Sequence, residues 1–197
     1  MLILVYDTET TGLPLWNDPS EDPRQPRIVE LAASLVDTKT RQTVESFDCL
    51  VRPDGWEIPA EASAIHGITT ERALADGVPE QSMLDTFLAM WRRSDSRVGH
   101  NESFDARMFR IAIKRAWAPE IAEPIAEQFK LAQTYCTMRK STPILRLPGP
   151  RGLKWPKLTE AYAHFFGREL VGAHSARGDV DATIQVYFAL QGDKVSA

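Results

Sequence analysis

The order of the apolar segments constrains the fold of this chain more than any other feature of the sequence. Three segments with the pattern of β-strands, residues 2–7, 27–37 and 44–51, come first, and the rest of the chain alternates helical patterns with one short strand. A run of strands that continues into alternating helices and strands is typical of a sheet with both antiparallel and parallel neighbours. We therefore predict an α/β fold in which a mixed central β-sheet is flanked by α-helices.

The other predicted elements rest on apolar periodicity and on proline. They are, in order, a helix over residues 79–93, a strand over 97–100, a helix after Ser103, and two closing helices near 157–166 and 177–190. Four of the 13 prolines fall in residues 13–27, which predicts a long exposed loop between the first two strands.

Length and composition exclude several classes of protein. The first apolar run ends at Asp7, which is too early for a membrane span, and no basic segment or cleavage site marks a secretory signal. Cys49 and Cys136 are too few for a disulfide framework, and free thiols are typical of a reducing compartment. We expect a cytoplasmic protein with no membrane partner, folded as a single domain over residues 1–197 with its core at about 2–190.

The net charge of −4 hides an uneven distribution. Residues 130–170 carry eight basic and two acidic side chains, whereas the chain on either side is acidic overall. Because local potential matters more to a polyanion than net charge, this segment indicates either a solvated face or a contact surface for nucleic acid. Within it, residues 151–158 could guide a single strand with Trp155 as a stacking platform, although packing of Trp155 into the core is the favoured interpretation.

Acidic residues gather at three places where predicted elements begin or end. Asp7 and Glu9 end the first strand, and at a spacing of two residues they project to the same face. Asp105 falls in the first turn of a helix, and Asp179 opens the last helix, with His174 on the loop before it. Each place has an ordinary explanation when taken singly, because strand ends are often acidic and helix N-termini favour acids.

Taken together, the four acids indicate a metal site. Two like charges about 4 Å apart repel by about 4 kcal/mol at an effective dielectric of about 20, so the paired Asp7 and Glu9 need neutralisation. Four carboxylates offer hard oxygen ligands and enough charge for two divalent cations, and such ligands suit Mg²⁺ or Mn²⁺. Two such ions support in-line attack of water on a phosphodiester, and histidine has the ordinary pKa of a general base at neutral pH.

The motifs around these residues resemble those of the DEDDh 3′–5′ exonuclease family. The first motif is DTETTGL from Asp7, the second is GHNESFD ending at Asp105, and the third is HSARGDVDAT from His174. In the third motif, the His-x4-Asp spacing marks the histidine subclass. The resemblance extends over about residues 2–190, and it implies a ribonuclease H-like fold and the removal of nucleoside 5′-monophosphates from a 3′ end.

The resemblance also implies roles for individual residues. Asp7, Glu9, Asp105 and Asp179 would hold the two metals, and His174 would deprotonate the attacking water. Contacts with the terminal nucleotide are expected from six residues: Thr8, Thr10, Gly12, Leu13, His66 and Phe104. For His66, which lies in the similar motif IHGIT, and for Phe104, a structural role is an equally good interpretation.

Three functional hypotheses follow. The leading one is a metal-dependent 3′–5′ exonuclease acting on single-stranded or frayed DNA ends, as in proofreading or repair. The first alternative is a 3′–5′ exoribonuclease that trims RNA or degrades oligoribonucleotides. A catalytically silent nucleic-acid- or polymerase-binding module is the third hypothesis, and the presence of all five motif residues disfavours it. Only residues 191–197 follow the last predicted helix, which favours a stand-alone nuclease while leaving room for a polymerase or repair partner.

Overall fold

The structure of the protein is a computed structural model that describes residues 1–171 and 175–192. The strands are β1 (Leu2–Thr10), β2 (Ile28–Asp37), β3 (Thr43–Leu50), β4 (Ser96–Gly99), β5 (Thr134–Cys136), β6 (Pro148–Gly149) and β7 (Gly152–Leu153). The helices are α1 (Ala60–His66), α2 (Thr70–Asp76), α3 (Glu80–Trp91), α4 (Glu102–Ala116), α5 (Pro119–Leu131), α6 (Thr137–Leu145), α7 (Leu158–Phe166) and α8 (Ala176–Leu190).

Five strands form the central sheet in the order β3-β2-β1-β4-β5. Antiparallel pairs join β1 to β2 and β2 to β3, whereas parallel pairs join β1 to β4 and β4 to β5. The mixed sheet with flanking helices is therefore confirmed. Each strand and helix predicted with bounds from the sequence is present within a few residues of those bounds. The strand β5, the short hairpin β6–β7 and the helices α1, α2, α5 and α6 were not predicted.

The alternation of side chains along β1 divides the core into two layers. Leu4 and Tyr6 are buried in a cluster with residues of α3, α4 and α5 on one face of the sheet. Ile3 and Val5 are buried in a second cluster with residues of α8 on the other face. Because side chains alternate with a period of two, the acidic end of β1 continues this pattern and meets a different helix on each face.

A buried ion pair lies beneath that acidic end. The Arg97 side chain is 1% exposed, and its Nη2 is 3.2 Å from Glu102 Oε1. The Tyr6 hydroxyl donates to the same carboxylate oxygen at 2.9 Å, and the guanidinium lies 3.6 Å from the centre of the Phe129 ring. Breaking a buried pair leaves an uncompensated charge, so these contacts fix the start of α4 against β1.

The prediction of an exposed loop over residues 13–27 is only partly correct. The segment contains no helix or strand, but Gln25 is 3% exposed. Its amide accepts from the Leu15 N–H at 3.0 Å and donates to the Leu15 carbonyl at 3.0 Å. Arg107 on α4 donates to the Ser20 hydroxyl at 2.8 Å. Gln25 therefore holds the loop in shape through its own backbone, and Arg107 fastens the loop to α4. Apolar periodicity reveals neither contact.

The interpretation that Trp155 packs in the core is wrong, because 61% of its surface is exposed.

Both cysteines are free and half-buried, and burial raises the pKa of the Cys49 thiol to about 12. Among the residues that the structure describes, no helix combines the length and the apolar character that a membrane span needs.

Candidate active site

Three carboxylates meet at the end of β1 that lies nearest α8. Asp7, Glu9 and Asp179 each offer an oxygen, and these oxygens all lie within 4.8 Å of one another. Asp7 and Glu9 reach this face because they follow Ile3 and Val5 in the strand alternation, and Asp179 lies in the first turn of α8. The start of α8 is capped by Ser175, whose hydroxyl accepts from the Gly178 N–H at 3.2 Å.

The fourth predicted acid, Asp105, reaches the same strand end from the other face of the sheet. It lies in the first turn of α4 and is 3% exposed. Its Oδ1 accepts two hydrogen bonds from Thr8, one from the backbone N–H at 3.0 Å and one from the hydroxyl at 2.7 Å. Asp105 is thereby fixed next to Asp7 without being one of the three clustered carboxylates.

The charges of these acids act on one another strongly. Burial raises the pKa of Asp7 well above its ordinary value, and the charges of Asp105, Asp179 and Glu9 raise it further. The pKa of Glu9 rises from 4.5 to about 7, first through burial and then through Asp179 and neighbouring acids. Burial likewise raises the pKa of Asp105 from 3.8 to about 7, against the lowering effect of the Thr8 hydrogen bonds.

Such a cluster fits a divalent cation. Its donors are carboxylate oxygens, which are the ligands that Mg²⁺ and Mn²⁺ prefer. Their mutual repulsion and burial disfavour the ionised form in the absence of positive charge, and a cation held between them would reverse that penalty. The arrangement thus has both the donor chemistry and the excess of negative charge that a hard metal ion requires.

Glu30 is a fifth acid in this cluster, and it was not predicted from the sequence. It lies opposite Glu9 in the register of β1 and β2, and its charge contributes to the raised pKa of both Asp7 and Glu9. Its Oε2 accepts from the backbone N–H of Ala176, the first residue of α8, at 2.9 Å. The signal for this role in the sequence is an acidic residue inside a predicted strand that is otherwise mostly apolar.

A cavity of about 280 Å³ opens beside Glu9. It lies between the end of β1 and helix α1, and it is lined by Glu9, Thr10, Thr11, Gly12, Leu13, Pro59, Glu61, Ala62, Ile65 and His66. Leu13 is 78% exposed and Ile65 is 64% exposed, so the lining presents apolar surface to solvent. A concave, largely apolar lining with a few polar groups is typical of a small-ligand site.

Four of the six predicted nucleotide contacts line this cavity, namely Thr10, Gly12, Leu13 and His66. Burial lowers the pKa of His66, and its Nδ1 accepts from the Ile68 N–H at 3.1 Å. Of the other two, Thr8 is buried and bound to Asp105, and Phe104 packs half-buried against the core. The predicted general base, His174, lies outside the described residues.

Comparisons with known proteins identify the family. The RNase T family model, described as exonuclease, matches residues 4–187. The DNA polymerase III PolC-type protein of Thermotoga petrophila is 32% identical over 136 residues, which cover 69% of this chain and 9% of that protein. A DNA polymerase III subunit epsilon-like protein of Rhodobacter capsulatus is 34% identical over 111 residues, or 56% of this chain and 14% of that protein.

Solved structures share the fold. E. coli exonuclease I in its zinc-bound complex with single-stranded DNA matches with a TM-score of 0.73 and 22% identity, over 98% of this chain and 41% of that one. The same enzyme in complex with a dA16 oligonucleotide matches with a TM-score of 0.72 and 20% identity, over 97% of this chain and 41% of that one. This chain therefore spans less than half of those structures and about a tenth of the curated relatives.

The family match covers nearly the whole chain, and the fold is the ribonuclease H-like fold of exonuclease I. The protein therefore belongs to the RNase T exonuclease family, of DEDDh type.

Proposed function

We propose that the protein removes nucleoside 5′-monophosphates from the 3′ end of single-stranded or frayed DNA. The observation that carries this proposal is the meeting of the Asp7, Glu9 and Asp179 carboxylates within 4.8 Å at the mouth of an apolar cavity that Glu9 also lines. A metal site beside a pocket for one base is what the hydrolysis of a terminal phosphodiester needs. The names of the relatives, which include DNA polymerase III proteins, support DNA as the substrate.

In this proposal Asp7, Glu9, Asp105 and Asp179 hold two divalent cations, Mg²⁺ or Mn²⁺. When bound, these cations would lower the pKa of the attacking water and stabilise the leaving oxygen. The two Thr8 hydrogen bonds orient Asp105 and oppose the effect of burial on its pKa, because hydrogen bonds to a carboxylate favour its charged form.

The cavity beside Glu9 would receive the terminal nucleoside. The exposed side chains of Leu13 and Ile65 offer apolar surface to the base. The Thr10 hydroxyl donates to the Gly12 carbonyl at 2.9 Å, which holds the turn after β1 in shape along the cavity wall. With the nucleoside in the cavity, its scissile phosphate would point toward Glu9 and lie at the acidic cluster.

His174 is proposed as the general base on the strength of its motif. Its replacement by Ala is expected to lower kcat by about 10²–10⁴-fold, the usual contribution of a general base, while cation affinity is kept. His164→Ala changes an exposed histidine on α7 and serves as the matched control. A loss below tenfold for His174→Ala would assign the base to another group.

Direction and substrate can be tested with oligonucleotides that carry either a 5′ label or a blocked 3′ end. We expect DNA to shorten stepwise from its 3′ end with Mg²⁺ or Mn²⁺, and no reaction with EDTA or with a blocked end. Faster digestion of the matched RNA would support the exoribonuclease alternative. Labelled fragments from internal cleavage, or shortening from the 5′ end, would contradict the proposal.

A pair of variants on α8 tests the metal site itself. Asp179→Asn removes one negative charge from the cluster and is expected to abolish activity. Asp181→Asn is the control, because its carboxylate lies two residues further along the same helix, is 59% exposed and pairs only weakly with Arg177 at 3.7 Å. A variant at Asp179 that keeps most of its activity, or a control that loses it, would contradict this assignment. A polymerase or repair partner is part of this proposal, since the relatives are named as DNA polymerase III proteins.

A further inference from the structure

The hairpin segment, which we define as residues 146–157, presents an aromatic ring to solvent. It contains β6, β7 and the residues that lead into α7. Trp155 is 61% exposed and Leu153 is 49% exposed. Burying a tryptophan removes a large apolar area from water and stabilises a fold. The fold of this chain does not gain that stabilisation from Trp155.

The segment also carries positive charge that the fold leaves unneutralised. Arg146 and Arg151 are exposed, and neither has an ion-pair partner among residues 1–171 and 175–192. Lys154 differs from them, because its ammonium pairs with Glu160 Oε1 at 2.5 Å. Two guanidinium groups without an ion-pair partner among the described residues therefore precede the exposed Trp155 ring along the sequence.

The base of the segment is tied to the same end of the sheet as the acidic cluster. β4 runs parallel to β1 with Val98 opposite Val5, so His100 comes level with Asp7 at the carboxyl ends of the two strands. The His100 Nε2 donates to the carbonyl of Pro156 at 3.0 Å. Its Nδ1 lies 2.9 Å from the hydroxyl of Thr137, at the start of α6. Burial lowers the pKa of His100. The neutral ring is thereby favoured, and it connects the Pro156 carbonyl to the Thr137 hydroxyl.

The backbone of Arg146 has an unusual conformation. It ends α6 with φ 51° and ψ 36°, the left-handed conformation that normally falls to glycine or asparagine. An arginine at this position gives up some backbone stability, and it places a long cationic side chain at the start of the hairpin segment.

We propose that the hairpin segment binds the unpaired DNA strand on the 5′ side of the nucleotide being removed. One base stacks on Trp155, and neighbouring phosphates contact Arg146 and Arg151. The combination of an exposed aromatic face with unpaired cations suits a single strand, which offers both stacking bases and phosphates. A duplex hides its base faces and would use only the cations. This inference rests on the proposed exonuclease function and adds a second contact region to it.

The first test compares a long and a short substrate. With a single-stranded DNA of about 12 nucleotides, Trp155→Ala is expected to weaken binding by about 5- to 150-fold, which corresponds to the loss of one base–aromatic stack. Trp155→Phe keeps a ring and should retain most of the affinity. With a dinucleotide, which occupies only the site at the acidic cluster, kcat/KM should stay within about twofold for both variants.

These outcomes separate the inference from the proposed function. Hydrolysis of the dinucleotide by the unchanged protein reports on the proposed function alone, whereas the effect of Trp155→Ala on the long strand reports on the hairpin segment. Unchanged affinity of Trp155→Ala for the long strand overturns the inference. Equal losses on the long strand and the dinucleotide also overturn it, because they would place Trp155 at the reacting end.

The second test uses salt. Each phosphate contact with a single strand contributes about 0.7 to the slope of log K against log salt. The double variant Arg146→Gln, Arg151→Gln should lower this slope by about 1.4. Arg92→Gln is the control, since it removes an exposed charge after α3, at the opposite end of the sheet. A slope that does not change in the double variant, or one that falls as much in Arg92→Gln, contradicts the proposed contact.

Discussion

Raising the pH in the absence of metal is expected to destabilise the protein through Glu9. The pKa of Glu9 is about 7 in the folded chain and 4.5 ordinarily, so the folded state holds the proton more tightly than the unfolded state does. Stability therefore falls as the pH rises from about 4.5 through 7. The full difference corresponds to about 3 kcal/mol, and partial exposure of the carboxylate reduces it to about 2 kcal/mol. Asp105 acts in the same direction, since its pKa is also raised to about 7.

The assay is thermal unfolding at about pH 5 and pH 8, with EDTA or with Mg²⁺. A loss of about 2 kcal/mol lowers the Tm of a chain of this length by roughly 4–8 °C. Saturating Mg²⁺ should restore the Tm at pH 8 and change it little at pH 5, where the cluster already holds protons.

Glu9→Gln isolates the cause. In EDTA at pH 8 this variant should be more stable than the unchanged protein, and Mg²⁺ should stabilise it less. The matched control is Asp181→Asn, which changes an exposed acid outside the cluster and should leave both effects in place. If metal-free stability were flat or rose between pH 5 and pH 8, the repulsion inferred among these carboxylates would be refuted.

The other predictions concern the residues around the cluster. Thr8→Val removes one of the two hydrogen bonds to Asp105, so the pH midpoint of Mg²⁺-dependent activity should rise, whereas Thr8→Ser should leave it unchanged. Glu30→Ala removes the acceptor for the first amide of α8, and urea unfolding should show a loss of about 1–3 kcal/mol. Glu30→Gln keeps an acceptor and should be at least as stable as the unchanged protein in EDTA. Glu102→Ala leaves Arg97 buried without its partner and should lower the free energy of unfolding by about 3–5 kcal/mol, and a loss below about 1 kcal/mol would contradict the buried pair.

What could be predicted from the sequence was the part that depends on local periodicity. The alternation of β1 predicts that Asp7 and Glu9 share a face, and the structure has them there. The position of Asp105 in a first helical turn follows equally from local pattern.

The parts that could not be predicted depend on contacts between distant segments. Gln25 is buried because it bonds to the backbone of its own loop, and nothing in its neighbours along the sequence indicates this. Trp155 is exposed just after a two-strand hairpin, and no apolar periodicity predicts that hairpin. Glu30 joins the acidic cluster through strand pairing with Glu9 and through the start of α8, neither of which a single strand pattern contains.

Two helices on opposite faces of one sheet, α4 and α8, bring Asp105 and Asp179 to Asp7 and Glu9 at the end of β1. The proposed catalysis therefore depends on both helices holding their positions at once. Slight loosening of either helix would separate ligands on one side from those on the other while leaving the hydrogen-bonded strands intact. Hydrolytic rate should accordingly decline at lower temperature or denaturant concentration than the circular dichroism of the sheet, so that enzyme turnover serves as an early indicator of failing tertiary structure.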